Sequence, residues 1–201
     1  MVGHEEINVV EMDTVKGRKG SKPCLLTMLF SAWNFMLLFL IPNGKQDSVL
    51  RIFDLLELKL GLERFQRIFK VLLTDNGSEF KDAKGIELTT DHQLRTRIFY
   101  CDPMASWQKA HVEKNHEYIR YAIPKGTDLT QFSQEDITLL ASHINSTVRP
   151  GFGYRSPFDM IPPDDTDMQA LIKVLELEQI PAKDLNLTKT LFKRELNSPL
   201  F

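Results

Sequence analysis

The chain's 201 residues suffice for one ample domain, or for a domain with a short appendage. Its 42% hydrophobic and 26% charged content is ordinary for a soluble protein with a sizeable core. A formal net charge of −2 excludes nucleic-acid binding by bulk basicity, so any phosphate contact must come from locally placed Lys and Arg.

The first residues show no basic-then-apolar signal pattern. Residues 7–15 are rich in β-branched side chains and predict a strand, and Gly17 to Lys22 predict a polar turn. Residues 24–41 then carry no charge and reach the lower limit of a membrane-spanning helix. Pro23 before them and Pro42-Asn43-Gly44 after them favour two buried strands turning around Ser31-Ala32-Trp33-Asn34. From Gln46 to Leu60 the residues Val49, Ile52, Phe53, Leu56 and Leu60 recur at helical spacing. Lys70 to Thr74 is short and nearly all apolar, as a strand buried on both faces would be, and Arg97 to Tyr100 predicts another strand. Ser106 to Tyr121 reads as a helix with Ser106 as N-cap and a stop at Ile123-Pro124-Lys125-Gly126. Ser133 opens a last clear helix to about Ser146, with Asp136 in the capping-box position. A further helix is expected from Met168 to Leu177. These elements predict a mixed α/β core over residues 5–160 and a partly helical C-terminal appendage over residues 161–201. Cys24 and Cys101 stand outside any CxxC pairing, which points to reduced thiols in a cytosolic protein, without disulfides or a zinc site.

Asp13 and Asp75 close two apolar runs, where an unpaired carboxylate is costly. On neighbouring strands, ~4.8 Å apart, they could share one cation. Glu113, in the helix expected at 106–121, could reach the same spot. Three carboxylates from separate elements suit Mg²⁺ or Mn²⁺, and two such ions can drive an in-line phosphoryl displacement. Simpler readings stand beside each. Asp75-Asn76-Gly77 is a good turn, Asp13-Thr14 could be another, and Glu113 could pair with Lys109 four positions earlier. His111 and His116, five apart, lack the spacing of paired helix ligands and read as surface histidines. The 17–22 loop lacks the P-loop spacing.

The segment LTDNGSEF (73–80) resembles the second-aspartate motif of retroviral-type integrases and many transposases. With FYCDPMASWQ (99–108), Glu113-Lys114-Asn115, Ile119-Arg120-Tyr121, Pro124-Lys125-Gly126-Thr127 and the stretch 149–158, the chain resembles the insertion-sequence-30 family of bacterial transposases. Met12-Asp13-Thr14-Val15 and Gly17-Arg18-Lys19-Gly20 fit that family's first-aspartate strand, so the likeness runs from about residue 9 to 160.

The resemblance implies an RNase H-like fold, a five-stranded mixed sheet flanked by helices, with the two aspartates on adjacent first and fourth strands. It implies Mg²⁺-dependent cutting of transposon ends and joining to target DNA, by a homo-oligomer in the bacterial cytosol. By resemblance Asp13, Asp75 and Glu113 are the catalytic, metal-binding carboxylates, and Glu117 is the fallback for the third. Lys16, Arg18, Lys19, Lys22, Lys109, Lys114 and Arg120 are candidate phosphate contacts, or else ordinary surface charges. Members of the family carry helix-turn-helix segments ahead of this core, and here the first strand begins within about ten residues of Met1. The chain is therefore expected to be a fragment of a longer protein, or a truncated remnant that folds without catalysis.

Overall fold

The computed structural model describes residues 8–102 and 109–192, so the expected N-cap at Ser106 lies outside the described residues. Strands β1 (Val9–Lys16), β2 (Cys24–Phe30) and β3 (Phe35–Ile41) form an antiparallel meander. Strands β4 (Val71–Thr74) and β5 (Arg97–Tyr100) join in parallel on the other side of β1, giving the order β3-β2-β1-β4-β5. The uncharged run at 24–41 is thus a hairpin. Every residue of β2 is buried, which explains its lack of polar alternation. Among the described residues, no helix is long and apolar enough to cross a membrane.

Helix α1 (Gln46–Leu60) buries Val49, Phe53, Leu56 and Leu60, the stripe its spacing predicts, while Ile52 is only partly covered. Two short helices not anticipated from sequence follow, α2 (Leu62–Ile68) and α3 (Ala83–Glu87). Between them and the sheet, Phe30, Phe53, Phe65, Phe69 and Phe80 are all fully buried. Arg95 is 1% exposed beneath α1, where its guanidinium donates to Asp54, Glu57 and the carbonyls of Gly85 and Ile86.

Helices α4 (Ala110–Ala122) and α5 (Gln134–Ser146) pack against β1, β2 and β3. The Ser133–Asp136 capping box is present at the start of α5. Strand β3 is a sheet edge, and α5 covers it with side chains that act as a substitute strand. The Asn145 carboxamide accepts from Met36 N and donates to Met36 O, both at 2.8 Å. Gln134 does the same for Leu40 N and Leu38 O. Those backbone groups would otherwise stand unpaired.

Toward the end of the described part come α6 (Pro157–Met160), α7 (Thr166–Val174) and a short 3-10 turn at Ala182–Asp184. Met168 and Leu171 of α7 belong to the same apolar core as the sheet, and Asp167 pairs with Arg64 and Arg67 of α2. Cys24 and Cys101 are both free thiols. Burial, with Glu79 nearby, pushes Cys24 up to about 11.

Candidate active site

The site begins with strand register. β1 pairs with β4 as far as Glu11 opposite Leu73, so two residues further along each strand stand Asp13 and Asp75. Asp13 closes the apolar run of the expected 7–15 strand, and β1 runs on past it to Lys16, because pairing with β2 continues after β4 has stopped. Asp13 therefore leans over the end of β4, beside Asp75.

Each aspartate divides its two oxygens. Asp13 Oδ1 accepts from Thr14 N at 2.7 Å, and Asp75 Oδ1 accepts from Gly77 N at 3.0 Å. The turn expected at Asp75-Asn76-Gly77 is thus real, and it engages only one oxygen. Both Oδ2 atoms are turned to the same cation, the Lys109 ammonium, at 3.0 Å from Asp13 and 2.9 Å from Asp75. Lys109 is 3% exposed. Burial opposes its charge, but Asp13 and Asp75 outweigh that and raise its pKa above the ordinary lysine value. Lys109 was expected among the surface phosphate contacts, and the structure corrects this. It is buried because two carboxylates compensate its charge.

Helix α4 is fixed over this pair by a second carboxylate of β1. Glu11, two residues before Asp13 and so on the same face of the strand, accepts from Val112 N at 2.9 Å and pairs with His111 Nδ1 at 2.7 Å. It caps an open N–H of the first turn. Lys109, Glu113, His116 and Arg120 then follow at helical spacing along one side of α4. Glu113 is exposed and makes no hydrogen bond or ion pair among the described residues. At 3.6 residues per turn it points about 40° from the mean direction of the other three, while Glu117 points about 80° away. Among the described residues, no group of three His, Cys, Asp or Glu side chains is gathered as a metal cluster. The structure brings Asp13 and Asp75 together, then, and does not bring Glu113 into contact with them.

Asp13, Asp75, His116 and Arg120 open on a cleft of about 580 Å³, whose lining includes neither Lys109 nor Glu113. Its lining brings together the acidic Asp13, Asp75 and Glu79 and the basic Lys16, Arg120 and Lys125. Glu79 is 8% exposed and accepts from Thr14 Oγ1 at 2.7 Å. Arg120 donates to Lys16 O at 3.1 Å, and its Nη1 is buried without a hydrogen-bond partner. Lys125 is presented by the 124–127 turn, which rests on Gly17. A Cβ at Gly17 would lie 2.6 Å from Thr127 O. His116 also lines the cleft, with Nε2 at 3.1 Å from Thr27 Oγ1 and its pKa lowered by burial. That corrects the reading of His116 as a surface histidine, whereas His111 is exposed as expected. Sequence reasoning also missed Glu79 and Lys125 as lining residues, although both stand inside quoted motifs. Arg18, Lys19, Lys22 and Lys114 are exposed and lie outside the cleft lining.

The donor chemistry fits a hard divalent cation. Two carboxylate oxygens from neighbouring strands already share one positive charge, and oxygen-only ligation with open positions is what Mg²⁺ prefers.

No family model matches the chain. Among curated proteins it is similar to the transposase for insertion sequence element IS4351 of Bacteroides fragilis, at 26% identity over 153 residues, covering 76% of this chain and 44% of that protein. It is 30% identical over 151 residues to transposase InsI for element IS30C of Escherichia coli K12, covering 75% of this chain and 37% of that one. The transposase for IS1086 of Cupriavidus metallidurans is 32% identical over 92 residues, covering 46% and 26%. The chain thus spans less than half the length of these relatives. Among solved structures, the catalytic core domain of BIV integrase aligns with a TM-score of 0.50 and 18% identity over 76% of this chain and 92% of that one. A chain of a simian T-cell lymphotropic virus intasome aligns with a TM-score of 0.57 and 12% identity, over 78% and 55%. The chain is a homologue of IS30-type transposases over much of its length, built on the RNase H-like fold of retroviral integrase catalytic cores.

Proposed function

We propose that this chain is the catalytic core of a DDE-type transposase, which cuts DNA strands and joins a freed 3′-hydroxyl to target DNA. One observation carries the reading: Asp13 and Asp75, on adjacent parallel strands of a transposase homologue, turn one oxygen each onto a shared buried cation. In this reading Asp13, Asp75 and Glu113 hold two Mg²⁺ or Mn²⁺ ions. Such ions, when bound, activate the attacking oxygen and take up charge on the leaving oxygen of an in-line phosphoryl displacement.

The chain's own residues do the rest. Lys16, Arg120 and Lys125, which line the same cleft as Asp13 and Asp75, hold phosphodiester oxygens and place the backbone of a DNA strand in that cleft. Gly77 N engages Asp75 Oδ1, which leaves Oδ2 free for the shared cation. Glu11 holds the first turn of α4, and with it the position of Glu113. The active complex is read as a homo-oligomer on transposon-end and target DNA, acting in the cytosol.

The test is a nicking and strand-joining assay on supercoiled plasmid with Mg²⁺. Wild-type chain should convert the plasmid, and Asp75→Asn should abolish conversion. Activity that survives Asp75→Asn would sink the reading. Salt-sensitive DNA binding without any conversion by folded wild-type chain would favour a remnant that binds and does not cut.

A further inference from the structure

Lys109 occupies the place where a metal-binding pair of carboxylates would hold its ion. The ammonium is almost inaccessible, and it touches the one oxygen of each aspartate that the local turns leave free. A buried lysine that serves only to brace structure would be expected to meet a single carboxylate or backbone carbonyls. This one reaches across from the start of α4 to bridge two strands.

We propose that Lys109 is a built-in competitor for the metal site: it neutralises the Asp13–Asp75 pair in the metal-free protein and must be displaced when the first divalent ion binds. This rests on the metal-site reading above and adds a gate to it. The geometry supports an exchange. An ammonium holds its oxygens at 2.9–3.0 Å here, whereas Mg²⁺ takes them at roughly 2.1 Å, so the two cannot share the position. Asp75 is free to adjust, with its side chain 48% exposed. Lys109 and Glu113 stand one helical turn apart on α4. Withdrawing the ammonium and turning Glu113 inward, as a divalent ion enters, leaves the net charge of the cluster unchanged. The competitor thus keeps two adjacent carboxylates from repelling each other before metal arrives, and the protein need not fold around a bare negative pair.

The experiment is a calorimetric titration of the whole chain with Mn²⁺ alone. Lys109→Met, which keeps length and removes charge, should bind the first ion about tenfold more tightly than wild type, and Lys109→Arg should stay near wild type. Equal or weaker binding by Lys109→Met overturns the proposal while leaving the metal site standing. Asp75→Asn added to Lys109→Met should remove the gain, and a gain that persists places the ion elsewhere and overturns it as well. If neither wild type nor Lys109→Met binds Mn²⁺, the metal-site reading falls and the competition with it.

A second measurement needs no variant. In reductive methylation read by mass spectrometry, Lys109 of wild type should label slowly without metal and several-fold faster with saturating Mn²⁺, with exposed Lys19 as the unchanged reference. A Lys109 rate that stays constant or falls on adding Mn²⁺ overturns the proposal.

Discussion

A carboxylate has enough lone pairs to serve two masters, and both site aspartates show it. The oxygen of Asp75 that accepts from Gly77 N makes an ordinary turn, while its other oxygen faces Lys109. A turn reading and a site reading of the same residue are therefore compatible, which is why neither could be dismissed from sequence. The third carboxylate is where position decides. Glu113 lies nearer than Glu117 to the side of α4 on which Lys109 meets the aspartates and His116 and Arg120 line the cleft. In the plasmid assay Glu113→Gln should lower strand joining by about a hundredfold or more, and Glu117→Gln should stay within about threefold of wild type. Both substitutions are at exposed positions, so melting temperatures should match wild type within about a degree. The reverse ranking of the two variants would move the third ligand one turn along the helix.

At the scale of elements, the free edge of β3 is protected by two amides rather than by another strand. Asn145 is fully buried and returns both hydrogen bonds of Met36. Replacing it with Leu keeps the volume roughly constant and leaves a buried N–H and C=O unpaired, at about 1–3 kcal/mol for each group. Asn145→Leu should lower the urea-unfolding free energy by about 2–6 kcal/mol, and a loss below about 0.5 kcal/mol would show that the edge does not depend on it. The elements that sequence revealed are those whose pattern is local. α1 shows its stripe from Val49 to Leu60, the β2–β3 hairpin is bounded by Pro23 and Pro42, and α5 announces itself by Ser133 and Asp136. Helices α2 and α3, of 7 and 5 residues, are too short to display a period and exist through tertiary packing. The site was legible only in part for the same reason. Asp13 and Asp75 stand out as acids among apolar neighbours, but nothing near Lys109 distinguishes it from a surface lysine. Its burial comes from partners 96 and 34 positions away.

For the whole molecule, the described C-terminal segment is fastened to the core through one side of α5. Ser142 Oγ accepts from Glu178 N at 3.0 Å, Ser146 Oγ accepts from Ile180 N at 2.8 Å, and His143 Nδ1 accepts from Asn186 N at 3.2 Å. Of these three fasteners only the histidine titrates. Nδ1 can accept only while it carries no proton, and burial holds the His143 pKa below the ordinary histidine value. An unfolded histidine titrates near 6.5. As pH falls through about 6.5, the unfolded chain takes up a proton that the folded chain resists, so stability falls with pH until the folded pKa is passed. His116, also lowered by burial, adds to the same slope in the same direction. The two can be separated locally. Hydrogen exchange at the Asn186 amide, corrected for its intrinsic pH dependence, should lose protection between pH 7.5 and pH 5.5. Glu178 and Ile180, held by serines, should keep theirs. His143→Gln should make protection at Asn186 independent of pH over that range, because the glutamine amide has nothing to titrate. If Asn186 in wild type is equally protected at both pH values, the histidine does not fasten the segment.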